Sequence, residues 1–203
     1  MVKRISPALK TAISSAITRA ERRTSAEIAV VLAPESDGYQ AYLLMYGFAA
    51  GSIACTFLWW TKTLTAFPVL MLVQALAMGS FVFIPLLRRL GMTLMPRRLL
   101  HYCAARRAAE EFQSLSQQVP PERPLVLLYV SLAERYAHIL HSRMAGAKIP
   151  TATWDGIVAS FAAGVEKPGL SASFDIAIAK IGEALAPHFP DKGEPNVLRD
   201  GPG

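Results

Sequence analysis

Two long apolar segments without any charged residue lie in the first half of the chain. No Asp, Glu, Lys or Arg occurs between Asp37 and Lys62, and none occurs between Lys62 and Arg88. A helix rising ~1.5 Å per residue needs ~20 apolar residues to cross the ~30 Å core of a bilayer, and the runs 41–60 and 67–87 are that long. Core helices of soluble proteins seldom lack charge on every face over such a length. The sequence therefore predicts a transmembrane hairpin.

Charged residues outside these runs predict the orientation of the hairpin. The short connection between the runs carries Lys62 alone, whereas Arg88, Arg89, Arg97 and Arg98 follow the second run. Lys and Arg are enriched on the cytoplasmic side of membrane proteins, so both termini are expected in the cytoplasm and the short connection outside. The four arginines are expected to contact anionic lipid headgroups, at about 1 kcal/mol per residue.

Small and polar residues inside the runs indicate how the helices pack. Gly47 and Gly51 form a GxxxG pattern, which lets two helices approach closely. The pattern fits a homodimer face, but the short connection favours packing of the first span against the second, at Ala75 and Gly79. Gln74 is expected to hydrogen-bond across that pair. Because neither run contains Asp, Glu, Lys, Arg or His, we do not predict an ion or proton path.

The net charge and the cysteines exclude several other classes of protein. The 203-residue chain has a net charge of +6, but no aromatic-interleaved basic motif accompanies the charge, so nucleic acid is not predicted as a partner. Cys55 and Cys103 are the two cysteines, which excludes a disulfide framework and a zinc pattern. Residues 1–23 lack the apolar core of a signal peptide, so the first span is expected to direct insertion.

The rest of the chain predicts one water-soluble domain that the hairpin, residues 39–90, interrupts. Its first part, 1–38, is expected to hold an amphipathic helix and then a buried strand, and its second part is 91–190. Residues 191–203, with Gly and Pro throughout, predict a disordered tail. The predicted elements are a helix over 5–23 with Ser6 as its N-cap before Pro7, a strand over 24–33, a helix over 96–118, strands over 125–131 and 136–141, a helix over 154–165 capped by Thr151 or Thr153, and a last helix capped by Ser171 or Ser173.

The order of these elements predicts the fold class. A strand, a helix and a second strand in succession form a crossover unit, which should be parallel and right-handed. The third strand follows a tight turn and should be antiparallel to the second. We therefore predict an α/β sandwich with a small mixed sheet covered by helices, split in sequence by the hairpin but whole in space.

Acidic residues lie where the first two predicted strands end. Sites in α/β sheets form outside the carboxyl ends of parallel strands, so Glu35, Asp37 and Glu134 are candidate metal ligands, with Ser131 and Arg135 beside them. Three carboxylates would suit Ca²⁺ or Mg²⁺, and Arg135 would assist phosphoryl transfer. No nucleophile motif or phosphate loop accompanies them, which favours the alternative of a solvated turn with an ordinary Glu134–Arg135 pair.

Three stretches of the soluble part are similar to a known family. They are TSAEIAVVLA at 24–33, PLVLLYVSLAERYAHIL at 124–140, and the helix led by Trp154. On these residues the soluble part resembles the TPM domain of thylakoid-lumen and bacterial membrane-attached proteins. The resemblance implies an α/β sandwich, accessory roles in the assembly or repair of membrane complexes, and metal-binding acidic residues near the strand ends. It also implies a link to acid phosphatase activity.

Two departures from that family favour binding over catalysis. Relatives often carry Asp-Arg where this chain has Glu134 and Arg135, and the connection after the first strand leads here into the predicted hairpin. We therefore predict an integral inner-membrane protein whose cytoplasmic TPM-like domain is a binding or accessory module for a membrane complex. Self-association remains open. The alternative is a weak phosphatase that depends on a divalent metal and has its site next to the membrane.

Overall fold

The structure, a computed structural model, describes residues 6–36, 39–63, 66–166, 169–191, 193 and 197–198. Within these residues the chain forms eight helices and three strands, so the fold is mixed α/β and dominated by helices. The helices are α1 (Pro7–Glu21), α2 (Gln40–Trp60), α3 (Phe67–Phe83), α4 (Pro85–Leu94), α5 (Arg97–Ser116), α6 (Arg143–Lys148), α7 (Thr151–Glu166) and α8 (Leu170–Leu185). The strands are β1 (Glu27–Ala33), β2 (Leu125–Ser131) and β3 (Tyr136–His141).

The chain divides into two units, and one of them is discontinuous in sequence. The first unit comprises Met1–Ser36 and His101–Gly203, and the second comprises Asp37–Leu100. The second segment of the first unit thus begins at His101 rather than at the predicted residue 91.

A three-stranded sheet lies in the first unit, with the strand order β1-β2-β3. β1 pairs in parallel with β2, and Ala33 lies opposite Ser131 at their carboxyl ends. β2 pairs antiparallel with β3, where Ser131 lies opposite Tyr136. The predicted small mixed sheet is confirmed, and its topology brings the ends of β1 and β2 and the start of β3 to one edge of the sheet.

Helices cover both faces of this sheet. On one face, strand side chains such as Val30 and Leu128 form a buried cluster with side chains of α1, α7 and α8, including Phe174. On the other face, Leu127 packs with Ala108 of α5. Burial on both sides explains why β1 and β2 are continuously apolar rather than alternating. Each fully buried Val, Leu or Ile side chain stabilises the fold by about 1.5–3 kcal/mol.

Several helix boundaries differ from the predicted ones. Ser6 caps α1 as expected, since its Oγ accepts a hydrogen bond from the Leu9 N–H at 3.2 Å. α7 begins at Thr151 and α8 at Leu170, so the predicted cap residues of both lie inside their helices. Several Ser and Thr residues cluster near each start, and their side chains alone do not select the first turn. α6 was not predicted, because six residues are too few to give a helical period.

In the second unit, α2 packs closely against α3 through two glycines. A Cβ atom added at Gly47 would lie 2.7 Å from the Met78 Cα atom, and one at Gly51 would lie 2.9 Å from Gln74 Oε1. At Gly47 the neighbour is backbone, so a larger side chain does not fit without moving α3, whereas at Gly51 it is the end of the Gln74 side chain.

Gln74 also links the two helices through a hydrogen bond. Its Nε2 donates to the Phe48 carbonyl oxygen at 3.0 Å. The face that α3 turns toward the glycines carries Gln74 and Met78 rather than the expected Ala75 and Gly79. Successive residues of a helix are about 100° apart around its axis, so a difference of one residue changes which face is in contact. The GxxxG pattern on α2 does not specify which face of α3 packs against it.

The second apolar run, 67–87, forms two helices rather than the one helix predicted for it. α3 ends at Phe83, Ile84 is extended with a ψ of 114°, and α4 begins at Pro85. The axes of α3 and α4 differ by 83°. A proline ring clashes with a helical conformation of the residue before it, so Ile84 cannot continue α3. Pro85 therefore ends α3 and begins α4.

Among the described residues, one helix is long and apolar enough to cross a membrane. This helix is α2, with 21 residues. α3 and α4 would count as a second crossing only if the bent pair is taken as one span.

The close approach at Gly47 predicts different effects for two alanine substitutions in the purified protein. Gly47→Ala should lower the free energy of unfolding by about 1–3 kcal/mol, because its Cβ meets the α3 backbone. Gly79→Ala is the control, since its Cβ would come no closer than 3.8 Å to Phe83. That substitution should be neutral or stabilise by up to about 1 kcal/mol through helix propensity. Equal effects in a thermal unfolding assay would contradict the packing.

Candidate functional site

A buried polar network lies at the carboxyl ends of β1 and β2. The Ser36 N–H donates to Glu134 Oε1 at 2.9 Å, and the Ser131 hydroxyl donates to Glu134 Oε2. The Tyr129 hydroxyl donates to Ser36 Oγ at 2.9 Å. Glu134 is only 4% exposed. Its carboxylate therefore joins the loop after β1 to the β2–β3 turn.

The β2–β3 turn is held in place by backbone contacts as well. The N–H of Leu132 donates to the Ala33 carbonyl, and the N–H of Ala133 donates to the Pro34 carbonyl, both at 3.1 Å. Arg135 closes the turn with a φ of 49°, in the left-handed region. A side chain in this region costs roughly 1–2 kcal/mol, and Gly or Asn is the usual occupant.

The predicted metal ligands are only partly brought together. Glu134 lies in the network, and Glu35 is half-buried in the loop after β1. Asp37 lies outside the described residues. Within the part of the chain that the structure describes, no three His, Cys, Asp or Glu side chains converge as a metal site. The three-carboxylate site stays a prediction, and Glu134 already uses both oxygens as hydrogen-bond acceptors.

Two tyrosines stand beside this network. Burial raises the pKa of Tyr129, and burial likewise raises the pKa of Tyr136 above its ordinary value. Their ring centroids are 6.5 Å apart in an edge-on arrangement. Both hydroxyls stay protonated at neutral pH, so Tyr129 acts as a hydrogen-bond donor rather than as a base.

A cavity of about 610 Å³ opens next to the network, on the α7 side of the turn. Its apolar wall comes from α7, from the β2–β3 turn and from the start of β3. Arg135, His101 and Ser131 supply its polar groups. The sequence analysis placed a site at this edge of the sheet but missed the cavity, because its wall comes from segments far apart in the chain. The apolar face of the α7 helix was the signal that could have indicated it.

A second buried carboxylate that the sequence analysis missed is Glu27, the first residue of β1. Arg123 Nη1 donates to Glu27 Oε1 at 2.6 Å. The Val197 N–H donates to the same oxygen at 3.0 Å, and the Leu198 N–H donates to Oε2 at 3.3 Å. The carboxylate of Glu27 thus holds Val197 and Leu198 against β1. Both residues lie in the segment 191–203, which was predicted to be disordered.

The predicted lipid-contacting arginines lie on two helices. Arg88 and Arg89 are exposed on α4, and Arg97 and Arg98 are exposed in the first turn of α5.

Comparisons with known proteins show the fold. No protein-family model matches the chain, and no curated protein matches it. A solved structure that it resembles is the NMR structure of BA42 protein from the psychrophilic bacterium Bizionia argentinensis. The two share 17% sequence identity with a TM-score of 0.59, and the match covers 99% of this chain and 95% of that chain. At 17% identity the structural similarity supports the mixed α/β fold, and it gives no information about activity.

We expect Glu134→Ala to destabilise the first unit. The substitution leaves the Ser36 N–H and the Ser131 hydroxyl without this buried acceptor, which should cost about 2–4 kcal/mol of unfolding free energy in total. The measurement is denaturant unfolding of the purified protein. Glu122→Ala is the matched control on an exposed turn and should stay within about 0.5 kcal/mol of wild type. Equal midpoints for the two variants would contradict the network.

The raised pKa values of Tyr129 and Tyr136 predict a loss of stability in alkali. The folded state holds these protons more tightly than the unfolded state, whose tyrosines titrate near pH ~10. Stability is therefore fully present below that pH and falls as the pH rises through the folded pKa values. The double variant Tyr129→Phe, Tyr136→Phe should show a smaller loss of the unfolding midpoint between pH 9 and 11. A slope unchanged from wild type would refute the assignment.

Proposed function

We propose that the protein is a membrane-anchored binding module. In this proposal the second unit inserts in a bacterial inner membrane as a hairpin, with both termini in the cytoplasm. The first unit, a TPM-like domain, is the accessory module for a membrane complex. The observation that carries the proposal is α2, whose most apolar window is only 17% buried.

The exposed side chains of α2 support insertion. Met45, Phe48, Ile53 and Phe57 are exposed on a helix without charge. Exposed apolar surface on this scale is typical of sites that face a membrane or a partner. α2 is about 31 Å long, which matches a ~30 Å hydrocarbon core.

The bend between α3 and α4 supports a specific arrangement at the membrane surface. α3 has 17 residues, the lower limit for a crossing helix, which is about 17. If α3 crosses, the 83° bend places α4 near the plane of the interface. Leu86, Leu90 and Leu94 recur every four residues on α4 and are 74%, 50% and 60% exposed. Such a stripe, with Arg88 on another face, is typical of helices that lie in the headgroup region.

The polar network supports a binding role over catalysis for the first unit. Glu134 is the acidic residue best placed for metal chemistry. Both of its carboxylate oxygens accept hydrogen bonds that join the loop after β1 to the β2–β3 turn. The phosphatase alternative requires the intact protein to hydrolyse a phosphomonoester with Mg²⁺ or Ca²⁺. Metal-dependent turnover, lost in Glu134→Gln while the fold persists, would favour that alternative over ours.

The proposal predicts where single cysteines react in intact cells. Cys55 and Cys103 are first replaced by alanine, and Lys62→Cys or Lys10→Cys is then introduced. A membrane-impermeant maleimide should label Lys62→Cys in spheroplasts, because residue 62 lies in the outer connection. Lys10→Cys is the control and should react only after permeabilisation.

Washing of membranes provides an independent check of the anchor. A hairpin held by the hydrophobic effect should remain in the membrane fraction in high salt and in alkaline carbonate, even though alkali loosens the first unit. Release of the protein by either wash, or labelling of Lys62→Cys only from the cytoplasmic side, would overturn the proposal.

A further inference from the structure

The cavity beside the β2–β3 turn has the size and the lining of a small-molecule site. Its volume is about 610 Å³, and ligand pockets are typically about 300–1,000 Å³. Val158, Phe161, Ala162 and Val165 of α7 form one wall, and Leu132 of the turn adds to it. Such a wall binds an apolar body, because it removes apolar surface from water without offering hydrogen bonds.

Arg135 is the one Lys, Arg, Asp or Glu among the described residues that line this cavity. Arg135 lines it and is exposed, and no ion pair joins its guanidinium to a carboxylate within the described residues. His101 lines the cavity as well and stacks at a tilt on Tyr136, with ring centroids 5.7 Å apart. No Asp or Glu is among the described lining residues. An anionic group is therefore the complementary ligand, and a guanidinium forms paired hydrogen bonds with a carboxylate.

The backbone at Arg135 gives a second reason to assign it a role. Its φ of 49° is a conformation in which Gly or Asn would be relaxed. Strained non-glycine residues concentrate at sites where the side chain is needed for function. Here the conformation puts a guanidinium at the edge of an apolar cavity.

We propose that this cavity binds a small amphipathic carboxylate, with the apolar body against α7 and the carboxylate on Arg135. The site uses neither oxygen of Glu134 and lies wholly within the first unit. It does not depend on insertion of the second unit in a membrane. Failure of the anchoring experiments would leave this inference standing, and failure of the test below would leave the anchor standing.

The test uses the purified full chain, in lipid nanodiscs if the anchor holds and in buffer if it does not, titrated calorimetrically with decanoate, decanol and decylamine. Heats from empty nanodiscs are subtracted to remove partition into lipid. Decanoate should bind saturably and about tenfold or more tighter than decanol, since a hydrogen bond to a charged group is worth that much in affinity. Decylamine should bind more weakly than decanol.

Three variants locate the binding. Arg135→Asn suits the left-handed backbone and should fold, but it should lose the preference for decanoate over decanol. Ala162→Trp fills the cavity and should abolish saturable binding. Arg143→Asn removes an exposed arginine of α6 and should bind as wild type.

Four results would overturn the inference. They are the absence of saturable decanoate binding above empty nanodiscs, equal affinity for decanoate and decanol, wild-type binding by Ala162→Trp, and an equal loss in Arg143→Asn and Arg135→Asn. Thermal unfolding of each variant shows that the fold persists.

Discussion

The parallel pairing of β1 with β2 is the interaction on which the rest of the structure depends. It joins residues 27–33 to residues 125–131, with the whole second unit between them. The entropy of closing a loop grows slowly, by about 0.6 kcal/mol for each doubling of length, so a long insertion at this connection is tolerated. Burial of both strands on both faces offsets that cost. The two sequence segments fold as one unit because neither buries its apolar strand alone.

The same pairing explains where the polar network and the cavity lie. Parallel strands bring their carboxyl ends to one edge, and the following loops meet there. Glu134 fastens those loops by accepting hydrogen bonds from Ser36 and Ser131. The turn held in this way carries Arg135 to the rim of the cavity. Glu134 stabilises this edge of the sheet, and Arg135 is suited to bind a ligand. The two residues are therefore adjacent in the chain but have different roles.

The second unit follows a different physical rule. Its helices α2 and α3 meet through a close backbone approach at Gly47, side-chain contacts at Gly51 and one amide hydrogen bond from Gln74, while large apolar side chains face outward. Small residues inside and large apolar residues outside are the reverse of a soluble core and are typical of helices in lipid. This contrast supports the proposal that the second unit inserts in a membrane while the first does not.

The sequence by itself determined the elements whose signals are local. β2 and β3 were predicted with their observed bounds, because Pro124 and the turn at 132–135 delimit short apolar runs. The parallel order of β1 and β2 followed from the helix between them, and the cap at Ser6 followed from its position before Pro7. The acidic residue Glu134 was also placed at the correct edge of the sheet, since strand ends are readable from composition.

The tertiary structure alone decided which groups face one another. Glu134 was considered as a metal ligand or as the partner of Arg135, but its described contacts are with Ser36 and Ser131, 98 and 3 residues away. The facing residues of α3, the end of α3 at Phe83 and the cavity wall from α7 were likewise not predictable. The composition of a segment and the spacing of its apolar residues indicate which of its side chains are buried, and both are properties of that segment alone. The identity of its neighbours depends on the rotation and separation of packed elements, and these are set by the whole fold.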